Sequence, residues 1–302
     1  MGTRTVISFD YALKRLLRHK ANHEILEGFL SELLKRQITI KSILDSESNQ
    51  ESADDKQNRV DMLVEDETGE LMIIEVQYQH EIDYLLRMLF GVSKTIIDHM
   101  SKGQPYEKVK KIYSINIIYF TLGEGDDYIY HGQTDFKGIH TRHLLQLSPK
   151  QREHFKKDAP GDLYPEYYIL EVKHFDDVAR NTLDEWIYYL KNSTIKDDFK
   201  AQGMDQVRVL LAYDYLSAEE KRRYDKDIDR KLGLDSAIET AKIEGRAEGE
   251  EIGMKKGEEI GREKALESLI LESNRVGLSI EQIQSISHVS TEKIIEILKQ
   301  NE

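Results

Sequence analysis

The sequence predicts an α/β fold in which a mixed central sheet with flanking helices is followed by an all-helical region. Two observations support this class. Up to about residue 175, segments with helical periodicity alternate with short runs of β-branched and aromatic residues. From Asp176 onward, nearly every segment has helical periodicity. We therefore expect a sheet-containing core over residues 1–175 and a helical extension over residues 176–240.

The elements of the core are predicted in order along the chain. Apolar residues recur at helical spacing over residues 9–36 and again over residues 84–100, which predicts two helices. Alternating or dense β-forming runs predict the strands, at residues 38–44, in a hairpin over 59–79, at 111–120, in a second hairpin with edge character over 124–136, and at 166–175. The polar stretch between the first strand and the first hairpin is predicted to be a loop.

The charge is unevenly distributed, which limits the functions that the chain can have. The formal net charge of −13 argues against a protein that coats nucleic acid through bulk electrostatics. However, residues 45–70 are strongly acidic, whereas the first twenty residues and the lysines between 94 and 111 are basic. An acidic pocket beside basic surfaces suits a metal site next to a phosphate backbone. Ordinary solvated faces are the alternative interpretation.

Two further features of the composition bear on the compartment. The sequence contains no cysteine, which excludes disulfides and thiolate metal sites and fits a cytoplasmic protein. We expect no membrane span, because the sequence has no run of 18 apolar residues. The amphipathic N-terminal stretch also lacks the uninterrupted apolar segment of a signal peptide.

The first hairpin, RVDMLVEDETGELMIIEVQYQ, places acidic residues inside predicted strands. A turn at Thr68-Gly69 sets Asp61 opposite Glu75, and Glu75 and Gln77 share one face of their strand. Two carboxylates and an amide oxygen then converge, and such hard oxygen ligands favour Mg²⁺ or Mn²⁺ over Zn²⁺. The acids could instead form the solvated face of an ordinary hairpin. The apolar run LMII favours a strand covered on both sides, where a Glu requires a partner or a metal.

A glycine repeat marks the segment of residues 241–267. Glycine recurs every four residues between charged side chains, at Gly245, Gly249, Gly253, Gly257 and Gly261. Each glycine costs a helix about 0.5–1 kcal/mol relative to alanine, so a lone helix gains nothing from five of them. A stripe of small residues lets two helices approach closely, which indicates a helical segment for self-association. A flexible charged linker is the alternative.

The last segment, residues 268–302, predicts two short helices. Ser279 with Gln282 forms a capping-box pattern, and Ser290 is positioned to cap a second helix. The arrangement is similar to a helix-turn-helix. The second helix offers only Lys293 and Lys299 for contacts with DNA, so we interpret the unit as a packing or dimerisation element rather than a reader of DNA sequence.

The acidic hairpin also carries a family resemblance. The pattern of Asp61, thirteen intervening residues and then Glu75-Val76-Gln77 resembles the PD-(D/E)XK nuclease superfamily. The whole layout is similar to the Rpn family of recombination-promoting nucleases and transposases, with matching stretches FDYALKRLL, NRVDMLVED, LMIIEVQYQ, LLRMLFGVSKTIIDHMSKGQPYEKVKKIYSINIIYF and YILEVKHF. This resemblance extends from Phe9 to about Glu263, and it implies a restriction-endonuclease-like fold.

The resemblance also implies roles for individual residues. Asp61 would be the central metal-binding residue and Glu75 the second ligand. Gln77 stands where the superfamily usually has a lysine that positions the attacking water, and it completes the expected catalytic set. Asp10 matches the acid of the first helix and could be a further ligand. Arg87 matches the arginine of the following helix and could bind a phosphate.

A second stretch imitates the same motif. Asp162 precedes Glu171-Val172-Lys173, which reads literally as D-x8-E-x-K and includes the lysine. We rank it below the first motif, because Gly161 and Pro165 place Asp162 in a turn with no hairpin to bring it across from Glu171. The resemblance implies that this strand is a structural edge.

Together these features predict a divalent-metal-dependent DNA endonuclease with Mg²⁺ or Mn²⁺ as its cofactor. DNA is the expected partner, in recombination or mobile-element biology, and we expect a homo-oligomer formed through the C-terminal helices. Two alternatives remain. The chain could be a catalytically degenerate nuclease fold that acts in binding or assembly, or a phage-defence nuclease with the same chemistry.

Overall fold

A computed structural model describes residues 6–15, 17–44 and 61–301 of the chain. Six strands form one sheet, in the order β1-β2-β3-β4-β6-β5. The strands are β1 (Ile40–Leu44), β2 (Met62–Asp66), β3 (Leu71–Gln77), β4 (Ile112–Ile118), β5 (Ile129–Gly132) and β6 (Glu166–Glu171). The pairs β3–β4 and β4–β6 are parallel and the other pairs are antiparallel, so the predicted mixed sheet is confirmed.

Among the described residues, the sheet is accompanied by α-helices. They are α1 (Phe9–Arg15), α2 (His23–Leu34), α3 (Tyr84–Asp98), α4 (Pro149–Phe155), α5 (Thr182–Asn192), α6 (Met204–Leu210), α7 (Ala218–Arg275), α8 (Ile280–Ser287) and α9 (Thr291–Gln300). The predicted α/β class with an all-helical C-terminal region is therefore confirmed. The loop predicted between β1 and β2 lies outside the described residues.

The β2–β3 hairpin has the register that the sequence predicts. Met62 pairs with Ile74 and Glu65 pairs with Leu71, so continuing the ladder by one step sets Asp61 opposite Glu75. The turn is closed by Asp66, whose Oδ1 accepts the backbone N–H groups of Thr68 (2.9 Å) and Glu70 (3.0 Å). Gly69 adopts a φ of +83°, which side chains with a Cβ rarely tolerate.

Helix α3 connects the parallel strands β3 and β4, as a crossover connection requires. Its buried residues cover one face of the sheet. There Val92 packs with Leu71 and Ile73 of β3, and Tyr84 packs with Ile118 of β4. Because residues 71, 73 and 75 alternate onto the same face, Glu75 lies at the end of an apolar row beneath α3.

The single helix predicted over residues 9–36 is wrong. The chain forms α1, turns, passes through a short 3₁₀ segment at Lys20–Asn22 and then forms α2. The Leu17 N–H bonds to the Ala12 carbonyl, which ends α1 with a wider turn and keeps Leu17 fully buried. This turn lets the Arg18 guanidinium donate to the backbone carbonyl of Asp61 at 2.8 Å.

Two predictions about the far side of the sheet are also wrong. The second hairpin expected over residues 124–136 is instead a single strand, β5, that pairs antiparallel with the later strand β6, although its edge position is as predicted. Strand β6 is not an edge strand, because it lies between β4 and β5. Local alternation identified both strands, but it carries no information about which strand is the neighbour of which.

An aromatic core joins the start of the chain to the helices after the sheet. Phe9 of α1 makes edge contacts with Phe29 of α2 and with Trp186 and Tyr189 of α5. The Tyr189 hydroxyl also donates to the carbonyl of Ile7 at 2.9 Å. Contacts thus cross the predicted boundary at residue 175, and a compact unit extends over Met1–Asp225.

The second compact unit is Lys226–Glu302. The segment of residues 241–267 is helical throughout and belongs to α7, and all five glycines of the repeat have open space around the position of a Cβ. Ile270 of α7 packs with Ile283 of α8 and with Ile294 and Ile297 of α9. Ser279 and Ser290 cap α8 and α9 as predicted. Within the described parts of the chain, no helix has the length and apolar character that a membrane crossing requires.

Candidate active site

The side chains singled out from the sequence come from three elements that meet near the end of β3. The β2–β3 hairpin supplies Asp61, Glu75 and Gln77. Helix α1 supplies Asp10, and α3 supplies Arg87. The structure therefore brings the five predicted residues into one region. Their catalytic and metal-binding roles stay predictions.

Asp61 is held at the start of the hairpin by its neighbours on both sides. Its Oδ2 accepts the backbone N–H of Val76 at 2.7 Å, which ties it to the strand that carries Glu75. Its Oδ1 lies 3.7 Å from the Nζ of Lys14. Burial is the largest effect on this carboxyl and raises its pKa above the usual value, while Lys14 and the Val76 N–H act in the opposite direction.

Glu75 is the most perturbed acid of the site. Its side chain is buried beneath α3, and burial raises its pKa to about 7. The nearby charges of Asp61 and Glu81 add to this rise, whereas Arg87 and a hydrogen bond from Tyr84 lower it. Asp61 thus raises the pKa of Glu75, and Asp10 in turn raises the pKa of Asp61, so several acidic groups lie close together in this partly buried place.

Gln77 and Arg87 share Glu81 as a partner. The Gln77 Nε2 donates to Glu81 Oε1 at 2.6 Å, and the Arg87 Nη1 donates to the same oxygen at 2.8 Å. The Arg87 Nε lies 3.8 Å from Glu75 Oε2, an ion pair that is too long for a hydrogen bond. Glu81 thus orients both groups beside Glu75. It was not predicted from the sequence, because it lies in the turn after β3 and outside any motif.

Lys14 is the second residue that the sequence analysis missed. It follows Asp10 by one helical turn in α1, and its Nζ lies 2.7 Å from Asp10 Oδ1 while also approaching Asp61. The i,i+4 spacing of Asp10 and Lys14 was visible in the sequence. Their position beside Asp61 depends on the packing of α1 against the hairpin, which no local pattern specifies.

The donor chemistry of the site fits a hard divalent cation. Among residues 6–15, 17–44 and 61–301, no group of three or more His, Cys, Asp or Glu side chains is arranged to hold a metal ion by itself. Mg²⁺ commonly binds through one or two carboxylates and retains several waters. The carboxylates of Asp61 and Glu75 are therefore ligands of the right type and number for this ion. Burial is the largest cause of the raised pKa of both carboxyl groups, and perturbed acids of this kind are common at functional sites.

The second motif, Asp162 with Glu171-Val172-Lys173, does not form a site. Asp162 lies in a 3₁₀ turn before β6, where its Oδ2 accepts the N–H groups of Asp158 and Ala159. Glu171 ends β6 and pairs with His174 at 3.0 Å. A six-residue strand separates them, which corresponds to about 17 Å. The two acids therefore lie toward opposite ends of one strand.

The mixed sheet with its acidic hairpin defines an α/β fold of the PD-(D/E)XK type. Residues 7–241 match the family described as PD-(D/E)XK nuclease family transposase, and the chain therefore belongs to that family. The match includes every candidate site residue and ends within α7. No curated protein and no solved structure shows significant similarity to the chain.

Proposed function

We propose that the chain is a divalent-metal-dependent DNA endonuclease that hydrolyses phosphodiester bonds. The observation that carries this proposal is the position of Glu75, a buried carboxylate with a pKa near 7 that the hairpin register sets opposite Asp61. The family assignment supports a nuclease-type function. DNA is the corresponding substrate and Mg²⁺ or Mn²⁺ the corresponding cofactor.

Asp61 and Glu75 are the residues that would hold the metal ion, and Asp10, which pairs with Lys14, would become a further ligand by moving toward them. When bound, such an ion lowers the pKa of a coordinated water and stabilises the charge that develops on the phosphate. The Val76 N–H fixes the orientation of the Asp61 carboxylate, so that this ligand is in place before substrate arrives.

Lys14 would supply the positive charge that Gln77 lacks. The superfamily motif usually provides a lysine at the position of Gln77, and a neutral amide can orient a water but cannot stabilise an anion. In this chain the ammonium of Lys14 approaches Asp61 and Asp10 from α1. Gln77 donates its amide N–H to Glu81, so its carbonyl oxygen is the atom suited to accept a hydrogen bond from the attacking water and orient it.

Arg87 would contact the phosphate beside the scissile bond. Its guanidinium is fixed by Glu81 and faces Glu75, and a planar guanidinium with several donors suits a phosphate oxygen. Because Arg87 already neutralises part of the charge of Glu75, it links substrate binding to the electrostatics of the metal ligands.

A plasmid-nicking assay tests the proposal. Wild type is compared with Asp61→Asn, which keeps the shape of the side chain and removes its charge, in Mg²⁺, Mn²⁺ and Ca²⁺. The matched control is Asp162→Asn, the same change in the second motif. We expect nicking in Mg²⁺ or Mn²⁺ that Asp61→Asn abolishes and Asp162→Asn retains. Equal nicking by wild type and Asp61→Asn would contradict the assignment.

A second candidate function is binding or assembly on a degenerate nuclease fold. It is favoured by Gln77 at the lysine position and by the net charge of −13. Calorimetric titration with Mg²⁺ and Mn²⁺ separates the two candidates, because only the nuclease requires a metal site. Absence of binding for both ions, together with absence of nicking, would favour this second function.

The biological setting follows from the same proposal. We place the nuclease in the cytoplasm, in DNA recombination or the movement of mobile elements, and phage defence would use the same chemistry. Self-association through the C-terminal helices, expected from the glycine repeat, stays a prediction.

A further inference from the structure

Helix α3 has three faces with different environments. One face is buried against the sheet and contains Tyr84, Met88, Val92 and Thr95. With about 100° per residue, Arg87 lies roughly 100° to one side of Met88, toward the acidic site. The third face lies on the other side of the buried one and points away from that site.

This third face is apolar although it is exposed to solvent. Together with a residue of the preceding turn, it presents large side chains that are each more than half exposed: Ile82, Leu85, Leu86, Leu89, Phe90 and Ile97. Ser93 lies among them and is also exposed. Monomeric soluble proteins rarely expose a contiguous apolar patch of this kind without a binding role.

We propose that this α3 face is the interface through which two copies of the chain form a symmetric dimer. Every side chain of the face is uncharged, whereas each copy carries a net charge of −13. Two copies therefore repel each other over much of their surface, and an uncharged apolar patch is where they can approach. The pattern is also close to symmetric about its middle, because Leu89 and Phe90 lie midway between Ile82 and Ile97, although Lys94 stands at the position that mirrors Leu85.

That symmetry suits an antiparallel pair of α3 helices related by a two-fold axis. In an isologous contact, residue i of one copy contacts residue j of the other and j contacts i, so Leu89 of each copy would meet Phe90 of the other. Ser93, which is small, would then face Leu86. Six large apolar side chains at roughly 100 Å² each offer on the order of 600 Å² per copy, and with a polar rim this approaches the about 800 Å² per partner of a stable interface.

The arrangement leaves Arg87 and the acidic site of each copy uncovered, because they lie on another face of α3. A dimer would therefore present two sites in one particle. The inference does not depend on catalysis, since it rests on the exposed apolar face alone.

The mass of the full-length protein in solution tests the interface. By light scattering coupled to size exclusion, wild type is expected to be a dimer and Leu86→Glu a monomer with an unchanged melting temperature. The matched control is Met254→Glu in α7. Met254 is 68% exposed and Leu86 is 67% exposed, so the two changes place a charge at equally accessible apolar positions. Met254 lies within the glycine repeat, so Met254→Glu is expected to leave the mass unchanged, and a monomeric Met254→Glu protein would place the interface in the repeat instead of α3.

A covalent readout covers the case in which Leu86→Glu affects folding. The chain contains no cysteine, so Phe90→Cys introduces a single thiol close to the expected two-fold axis. Mild oxidation is expected to convert most of this variant into a disulfide-linked dimer, and Ile243→Cys in α7 much less. A monomeric wild type would overturn the proposal. So would a Leu86→Glu protein that keeps the wild-type mass, or cross-linking that is stronger at position 243.

Discussion

At the scale of single residues, the site is explained by charges that are only partly neutralised. Glu75 is buried, has Asp61 and Glu81 nearby, and pairs with Arg87 at a distance too long for a hydrogen bond. Such an arrangement costs stability in the metal-free protein, and a bound cation of the proposed kind would relieve that cost. Sites of this kind commonly trade stability for function.

Replacing Glu75 by Gln should stabilise the metal-free protein at pH 8. The folded pKa of Glu75, about 7, lies above its ordinary value of 4.5. This group therefore adds stability below pH 4.5 and loses that contribution as the pH rises through 7. Glu75→Gln removes the loss, which amounts to about 1–3 kcal/mol at pH 8.

Thermal unfolding in EDTA at pH 5 and pH 8 measures this effect. The difference between wild type and Glu75→Gln should be larger at pH 8, and added Mg²⁺ should raise the melting temperature of wild type only. If Glu75→Gln were less stable than wild type at pH 8 in EDTA, the electrostatic account of the site would be wrong.

Replacing Lys14 by Met should lower the rate of nicking by about 10²-fold, the typical effect of removing one donor that stabilises a developing anion. In the proposed mechanism Lys14 would contribute the charge that Gln77 lacks, and Lys14→Arg should restore part of the activity. The measurement is kcat for plasmid nicking at saturating Mg²⁺, with Lys20→Met as the control for loss of one N-terminal lysine. Similar losses for both Met variants would indicate a general charge effect instead.

At the scale of elements, the sequence predicted local structure better than it predicted which elements lie next to one another. The hairpin register was predictable because the Thr68-Gly69 turn and strict alternation fix which residues face each other. The placement of Lys14 beside Asp61 was not, since it requires the break after α1 and the docking of that helix. The position of β6 between β4 and β5 was equally hidden, because strand order is decided by long-range pairing.

A close backbone contact between α2 and the segment before α6 should make any side chain at position 28 destabilising. A Cβ at Gly28 would lie 2.3 Å from the carbonyl oxygen of Gln202, and backbone cannot move aside as a flexible side chain can. Gly28→Ala is therefore expected to cost about 1–3 kcal/mol through overpacking. The control is Gly91→Ala in α3, which has open space and should gain about 0.5–1 kcal/mol from helix propensity.

Urea denaturation of the two alanine variants gives the free energies of unfolding. The free energy of unfolding is expected to fall for Gly28→Ala and to rise for Gly91→Ala. A neutral Gly28→Ala would mean that α2 and the Gln202 backbone are packed less closely than the structure describes.

At the scale of the whole molecule, the compact unit that carries the site extends well beyond the sheet. Tyr224, in the first turns of α7, is buried against Tyr11, and its hydroxyl accepts the N–H of Ser8 at 3.1 Å. The start of α7 thus completes the packing around α1, which carries Asp10 and Lys14. The later part of α7 packs through Ile270 against α8 and α9.

Two truncated chains, one with and one without Tyr224, should therefore differ in melting temperature and in nicking activity. A chain that ends at residue 241, where the family match ends, keeps Tyr224 and should retain the melting temperature of the first unit and Mg²⁺-dependent nicking. A chain that ends at residue 217 lacks Tyr224, and losing a buried aromatic residue costs about 3–5 kcal/mol. Its melting temperature should fall by roughly 10 °C.

The same pair of truncations also bears on assembly. If two copies associate through α3, the chain that ends at residue 241 remains a dimer although it lacks α8, α9 and the whole glycine repeat. If the glycine repeat of α7 mediates association, that chain becomes monomeric while it still nicks DNA. Scanning calorimetry, plasmid nicking and light scattering on the same two preparations thus separate the folding unit, the catalytic unit and the unit of association. A 217-residue chain as stable and active as the 241-residue chain would show that α7 is dispensable for the site.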